Sequence, residues 1–301
     1  MDENPAWSVD PTLHFDRLHV VESLGAGYAD RSGRRLFDEL ESLCASTPAQ
    51  VHYHQVNTRA EFFAVMQSLV SEAESGRFPL LHLEAHGAER PPGNATTSRG
   101  FVLSSGEVIP WKEIAPQLVA INKATRLRFI VFVATCFGAD IATLVNPLDG
   151  APARVLIGPR QSILMGDLET GTFTFYRTLL RERDGARAAN VMNEATGGAF
   201  FPFTAEWLFL QILKGYYDEM TTESQIAARV ERFIAPFALA GVQPWQLAQQ
   251  RHEMRARLRD RRAVFDAAYR NFFFIDECPE NIERFRMTFE SCFEEGDPSR
   301  V

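Results

Sequence analysis

The sequence predicts an α/β fold, a mainly parallel sheet flanked by helices, followed by a C-terminal α-helical extension. Three observations carry this reading. Over the first two hundred residues, short apolar runs rich in β-branched residues alternate with longer stretches at helical spacing. The run from Phe129 to Ala134 is apolar throughout, as expected of a central parallel strand covered on both faces. After Gly197 and Gly198 strand-like runs largely stop and helical spacing dominates. The division is therefore drawn as an α/β domain over residues 1–200 and a helical extension over residues 201–301.

The elements follow in order. Leu18 to Val21 reads as a strand, and Leu36, Phe37, Leu40 and Leu43 mark a helix over Arg34 to Leu43. Val51 to Val56 is a second strand, and Phe62, Phe63, Met66 and Val70 mark a helix over Arg59 to Ala73. Phe78 to Leu83 is a third strand running into Ala85-His86-Gly87. Ala88 to Arg99, with Pro91, Pro92, Gly93 and Asn94, lacks periodicity and reads as a loop. Gly100 to Ile109 reads as a hairpin turning at Ser105 and Gly106, and Trp111 to Lys123 as a helix. The central strand ends at Thr135-Cys136-Phe137-Gly138, where a helix is expected to start near Phe137. Arg154 to Gly158 is a fifth strand, and Asp167 to Arg181 and Ala186 to Ala195 are helices. Trp245 to Phe273 reads as one long helix, rich in arginine from Arg251 to Arg262. Its interleaved Glu253, Asp260 and Asp266 favour a solvated face over a site for RNA or an acidic partner.

The chain has 301 residues and a net charge of −8, with basic and acidic groups mixed throughout. That balance argues against nucleic acid or an anionic membrane as the main partner. No apolar run reaches the roughly 18 residues that a membrane-spanning helix needs. Cys44, Cys136, Cys278 and Cys292 are spaced too widely for a disulfide framework or a CxxC metal pair, so free thiols are expected. The segment MDENPAWSVDPTLHFD lacks the basic and apolar regions of a signal peptide, which makes a reducing cytoplasm the expected compartment.

Two features fall at the C-terminal ends of strands, where open parallel sheets place their ligands: His86-Gly87 and, 50 residues on, Cys136. Cysteine nucleophiles need an imidazole to manage the proton and backbone N–H groups to hold an oxyanion. His86, Cys136 and the N–H groups of Gly87 and Cys136 would supply these parts. Gly87 has no side chain to block an approaching carbonyl, and a helix start beside Cys136 would favour its thiolate.

At these residues the sequence resembles the caspase-like fold of cysteine peptidases, the group that includes caspases, separases, gingipains and bacterial CHAT proteases. The motifs are a strand with Ala85-His86-Gly87, a hairpin and helix, then a strand with Thr135-Cys136-Phe137-Gly138, and the resemblance covers about residues 13–196. It implies a cysteine endopeptidase that needs no metal or organic cofactor and acts on a protein substrate. It also implies regulated, limited proteolysis of the kind found in bacterial antiviral defence. The C-terminal helices lie outside the resemblance and are the candidate surface for a regulatory protein partner. The sequence lacks the caspase glutamine before Ala-Cys and has Ala134 where metacaspases often carry aspartate. Cleavage preference therefore stays open. Arg160 would favour an acidic residue before the scissile bond, Asp167 would favour a basic one or simply cap its helix, and otherwise an apolar preference follows.

Two rival readings belong beside this one. His82, Glu84 and His86 share one strand face, and His52 and His54 share another, but side chains along one strand rarely converge on a metal, so none is expected. Glu84 is a candidate to orient the imidazole, yet no third catalytic residue is assigned. The alternative function is a catalytically inactive scaffold of the same fold, with Cys136 and His86 kept for packing.

Overall fold

The computed structural model describes residues 14–25, 31–45, 47–88, 100–146 and 148–293. The loop expected over Ala88 to Arg99 falls outside them, apart from Ala88. The chain divides into two compact units, Met1–Val145 with Gly150–Trp207, and Asn146–Asp149 with Leu208–Val301.

The first unit is a mixed α/β layer structure. Its strands are β1 (Arg17–Ser23), β2 (Gln50–Gln55), β3 (Pro79–Gly87), the hairpin β4 (Gly100–Val102) and β5 (Val108–Pro110), β6 (Ile130–Ala134), β7 (Val155–Pro159) and β8 (Phe200–Thr204). The sheet order is β2-β1-β3-β6-β7-β8, parallel except for β8, and the hairpin continues from the end of β3. Helices α1 (Ser32–Cys44), α4 (Met165–Glu182) and α5 (Gly185–Ala195) cover one face. There Leu36, Leu40, Leu168, Phe175, Leu179 and Met192 pack on Leu18, Val20, Leu80, Ile130, Phe132 and Val155. The residues between these on each strand point the other way, toward α2 (Arg59–Glu74) and α3 (Trp111–Ala124). The chain leaves β1 for β2 in one direction but continues from β3 to β6 and β7 in the other. This reversal of strand order between β1 and β3 is where an open sheet forms its ligand crevice.

Strand β8 crosses the division drawn at residue 200. Its sequence, Phe200 to Thr204, contains Pro202, which an edge strand tolerates because the missing N–H faces outward. At its end Glu206, in the first turn of α6 (Ala205–Met220), forms an ion pair with Arg154, and both side chains are buried. Removing Glu206 takes away one charge-assisted bond that holds the buried Arg154 guanidinium. Glu206→Ala is expected to cost about 2 kcal/mol of stability, read as a lower denaturant midpoint; an unchanged midpoint would mean that this pair does not hold the start of α6.

On the α2 face a histidine chain links sheet and helix. His54 Nε2 lies 3.1 Å from His19 Nδ1, and His19 Nε2 lies 3.1 Å from Glu72 Oε2. If Glu72 accepts from His19 Nε2–H, Nδ1 is left to accept from His54. His52 stacks on His19 with ring centres 4.9 Å apart. Burial, then the proximity of His54, His52 and Arg17, pushes the His19 pKa down from 6.5 to about 3; burial and His52 also lower that of His54. The unfolded state thus binds protons that the folded state refuses. Stability from His19 is complete above pH 6.5 and is lost as pH falls toward 3. Glu22 acts in the opposite sense, because burial raises its pKa and its contribution is lost as pH rises past 4.5. The expected result is an unfolding free energy that falls between pH 7.5 and pH 5, by on the order of 2 kcal/mol from His19, and a shallower fall in His19→Gln. Equal drops in both proteins would contradict this.

The second unit is helical, as expected, but the long helix is two. Helix α8 (Pro244–Arg259) stops at Asp260, whose side chain accepts from Ala263 N–H and starts α9 (Arg261–Phe272). Apolar periodicity runs on across the break, so only the cap marks it. Phe209, Phe265, Phe272 and Phe273 form an aromatic core. Tyr217 donates to Arg261 O at 2.7 Å and Tyr269 to Phe285 O at 2.6 Å. Helices α7 (Glu223–Leu239) and α8 form a hairpin with a narrow core of its own, Ile226, Val230, Ile234 and Leu247. Two short helices, α10 (Asn281–Arg284) and α11 (Phe289–Phe293), follow. No helix among the described residues is long and apolar enough to cross a membrane.

Candidate active site

Strand β3 outruns its neighbour. Its ladder with β6 ends at the pair Glu84 and Ala134, and the next two residues on each chain are Ala85-His86 and Thr135-Cys136. His86 and Cys136 therefore hold equivalent positions at adjacent strand ends, His86 exposed and Cys136 half-buried. By alternation His86 lies on the same sheet face as His82 and Glu84.

Beyond that ladder, β3 pairs with β4, His86 opposite Val102 and Gly87 opposite Phe101. Ala88 N–H donates to Gly100 O at 3.0 Å. Hydrogen-bonded and open pairs alternate along an antiparallel ladder, so Gly87 and Phe101 form an open pair and the Gly87 N–H is directed away from β4. On that far side lies Cys136: a Cβ added to Gly87 would stand 2.2 Å from the Cys136 carbonyl oxygen and 3.1 Å from its Cβ. The two backbones touch, and only glycine allows it. The Gly87 backbone thus lies against Cys136, and among the described residues the Cys136 N–H is left without a hydrogen bond.

The turn after Cys136 is strained and tightly seated. Phe137 has φ 58 and ψ 26, the left-handed region that costs a non-glycine residue roughly 1 kcal/mol. Its N–H donates to Gln161 O at 3.2 Å, and Gly138 N–H donates to Thr135 O at 2.9 Å. A Cβ on Gly138 would meet Val133 O at 2.6 Å, and one on Gly158 would meet the Gly138 carbonyl carbon at 2.8 Å. Gly138 in the turn and Gly158 on β7 thus let the turn press against the sheet, and the strain sits next to the cysteine, a pattern typical of functional sites. The helix expected near Phe137 is a 3₁₀ helix, Gly138–Leu144, rather than an α-helix. Its short run gives a weaker dipole than an α-helix would supply.

The Cys136 Sγ lies 3.9 Å from the carbonyl oxygen of Ile163, on the loop between β7 and α4. The next residue, Leu164, is 75% exposed and occupies the N-cap of α4 without any side-chain cap. A leucine is poor at a cap and poor in water. Sequence reasoning passed over it, although an apolar residue just before a helix start was a visible signal. Arg160 is exposed, its guanidinium 3.8 Å over the Phe201 ring, and its N–H donates to Ala199 O. Asp167 is exposed at the third position of α4; it is a first-turn acid that complements the helix dipole rather than the cap.

Beneath His86 lies a buried polar network, of which the sequence pointed to His82 and Glu84 but not to Glu22, Ser32, Tyr53 or Tyr176. Glu22 and Glu84 are register partners on β1 and β3, 1% and 3% exposed. Glu22 accepts from Gly33 N–H at 2.9 Å and from the Tyr53 hydroxyl, and Glu84 accepts from the Ser32 hydroxyl. His82 Nε2 is 3.4 Å from Glu84 Oε2, and its Nδ1 is 3.2 Å from the Tyr176 hydroxyl. Burial, partly offset by Tyr53 and reinforced by Glu84, raises the Glu22 pKa; burial and Glu84 also keep the Tyr176 hydroxyl protonated. A Cβ on Gly33 would lie 3.0 Å from oxygens of both carboxylates. These groups anchor the start of α1 to the sheet ends, and Glu84 is engaged by Ser32, while His82 Nε2 lies close to it without a hydrogen bond. Strand-end acids after apolar runs were legible; their pairing depends on register.

His82 and the His52–His54 pair lie on opposite faces of the sheet, and no group of three His, Cys, Asp or Glu residues among those described could hold a metal ion. All four cysteines are free thiols; Cys44 and Cys278 are buried, and burial raises the Cys44 and Cys292 pKa values. No protein-family model matches the chain, and no curated protein matches it in sequence.

Proposed function

We propose that the protein is a caspase-like cysteine endopeptidase with His86 and Cys136 as its catalytic pair. The observation that carries this is the contact of Gly87 with Cys136 at neighbouring strand ends, with the Gly87 N–H turned toward the thiol's side. His86 takes the thiol proton as Sγ attacks the scissile carbonyl carbon, and the N–H groups of Gly87 and Cys136 hold the oxyanion. As the tetrahedral intermediate collapses, the C–N bond breaks and His86 returns its proton to the leaving amine. Water then attacks the thioester, loses a proton to His86, and releases the acid and the thiol. No metal or organic cofactor takes part.

The substrate is a protein in the cytoplasm, cut at few sites under regulation, in keeping with a bacterial defence role, and the C-terminal helices engage a partner. Exposed Leu164, next to the Ile163 carbonyl that faces the thiol, supports an apolar preference before the cut, with Arg160 as the candidate for an acidic one. The test is a proteome-wide search for new peptide ends after exposure to the wild-type protein and to Cys136→Ala. Ends made only by the wild type, sharing a residue before the cut, are expected. An identical set from both proteins would favour the inactive scaffold.

A further inference from the structure

We infer that the α7–α8 hairpin docks an amphipathic helix of a partner protein, apolar on one face and bordered by Asp and Glu. Helix α7 buries Ile226, Val230 and Ile234 against α8, one stripe at intervals of four. Phe233 and Phe237 form a neighbouring stripe, exposed, with ring centres 5.3 Å apart. At the same end of the hairpin Leu239 is 90% exposed and Trp245 66% exposed. Large apolar side chains scattered singly need no explanation, but four at one end of a two-helix element mark an interaction surface. Phe237 and Trp245 stand among uncharged neighbours, the composition of interface centres. From Phe233 to Gln250, eighteen residues, there is no ionisable side chain.

Charge selects the occupant. The hairpin from Glu223 to Arg259 carries six arginines against three glutamates, in a chain whose net charge is −8. Arg251 holds Glu231 through two bonds of 2.8 and 3.0 Å, and Arg259 holds Glu223 through bonds of 3.0 and 2.7 Å. Arg232, Arg255 and Arg257 form no ion pair among the described residues. An uncharged aromatic tip with spare arginines behind it fits a helix laid along the hairpin, its apolar face on Phe233, Phe237 and Trp245 and its acids on the arginines. A second hairpin would bring like charges together. A lipid surface would have to take up the amides of Gln243, Gln246, Gln249 and Gln250. The inference stands whether or not Cys136 is a nucleophile.

The test is selection of a displayed library of random 16-residue peptides on the full-length protein, with the Phe233→Glu/Trp245→Glu double variant as counter-target. Both substituted residues are exposed, so the variant should melt with the wild type. Enriched peptides are expected to combine apolar residues at helical spacing with Asp and Glu. As synthetic peptides they should bind at least about tenfold more weakly to the double variant. They should also weaken with Arg232→Glu/Arg255→Glu and with added salt. Absence of enrichment over the double variant, or enriched peptides without acids, would overturn the inference. So would self-association in light scattering, or binding to phosphatidylglycerol vesicles, that the double variant abolishes.

Discussion

Cys136→Ala is expected to lower peptide-bond cleavage by roughly ten-thousand-fold or more, to the background of the remaining site. The size follows from the proposed role. Without Sγ no thioester forms, and neither His86 nor the oxyanion donors can replace the nucleophile. The fold should persist, because Cys136 is half-buried and, among the described residues, its sulfur makes only the long 3.9 Å hydrogen bond to Ile163 O. The stability change should stay within about 1 kcal/mol. Cleavage measured beside a denaturation curve separates the two effects. Full turnover by the variant would remove the proposed mechanism.

Gly87→Ala should be nearly as informative, since it leaves every catalytic atom in the chain. The new Cβ would fall 2.2 Å from the Cys136 carbonyl oxygen and 3.0 Å from its carbonyl carbon, both backbone atoms with no rotamer to yield. One strand end must shift by about 1 Å, and a misplacement of that size costs on the order of a hundredfold in rate. The overpacking itself costs about 1 to 3 kcal/mol. Gly215 provides the contrast: it lies in α6, and a Cβ there meets nothing within 4 Å. Gly215→Ala should therefore keep full activity and gain about 0.5 to 1 kcal/mol from helix propensity. If Gly87→Ala keeps both wild-type turnover and wild-type stability, the contact between Gly87 and Cys136 does not build the site.

Much of this architecture is legible one element at a time. Val20 and Val21, Leu80 to Leu83 and Phe129 to Ala134 announce strands by local composition, and Ser105-Gly106 announces the hairpin turn. His86 and Cys136 stand out because each ends such a strand. What escapes reading depends on partners distant in sequence. β8 is an aromatic run with a proline, and only its edge position beside β7 makes it a strand. The pairing of Glu22 with Glu84 follows from register between β1 and β3. The left-handed Phe137 is imposed by Gly138 and Gly158 packing across strands. The exposed Phe233, Phe237 and Trp245 could not be told from core by periodicity, because a narrow hairpin buries one stripe and leaves the next in water.

The most direct test of the His86–Cys136 pair is the rate of Cys136 alkylation by iodoacetamide at pH 7, followed by mass spectrometry in the wild type and in His86→Ala. An imidazole that takes the thiol proton raises the thiolate fraction. Cys136 should therefore react faster than Cys44, Cys278 and Cys292, and at least about tenfold more slowly once His86 is gone. Equal rates for Cys136 in both proteins, or a Cys136 no faster than Cys292, would contradict an activated nucleophile at this strand end.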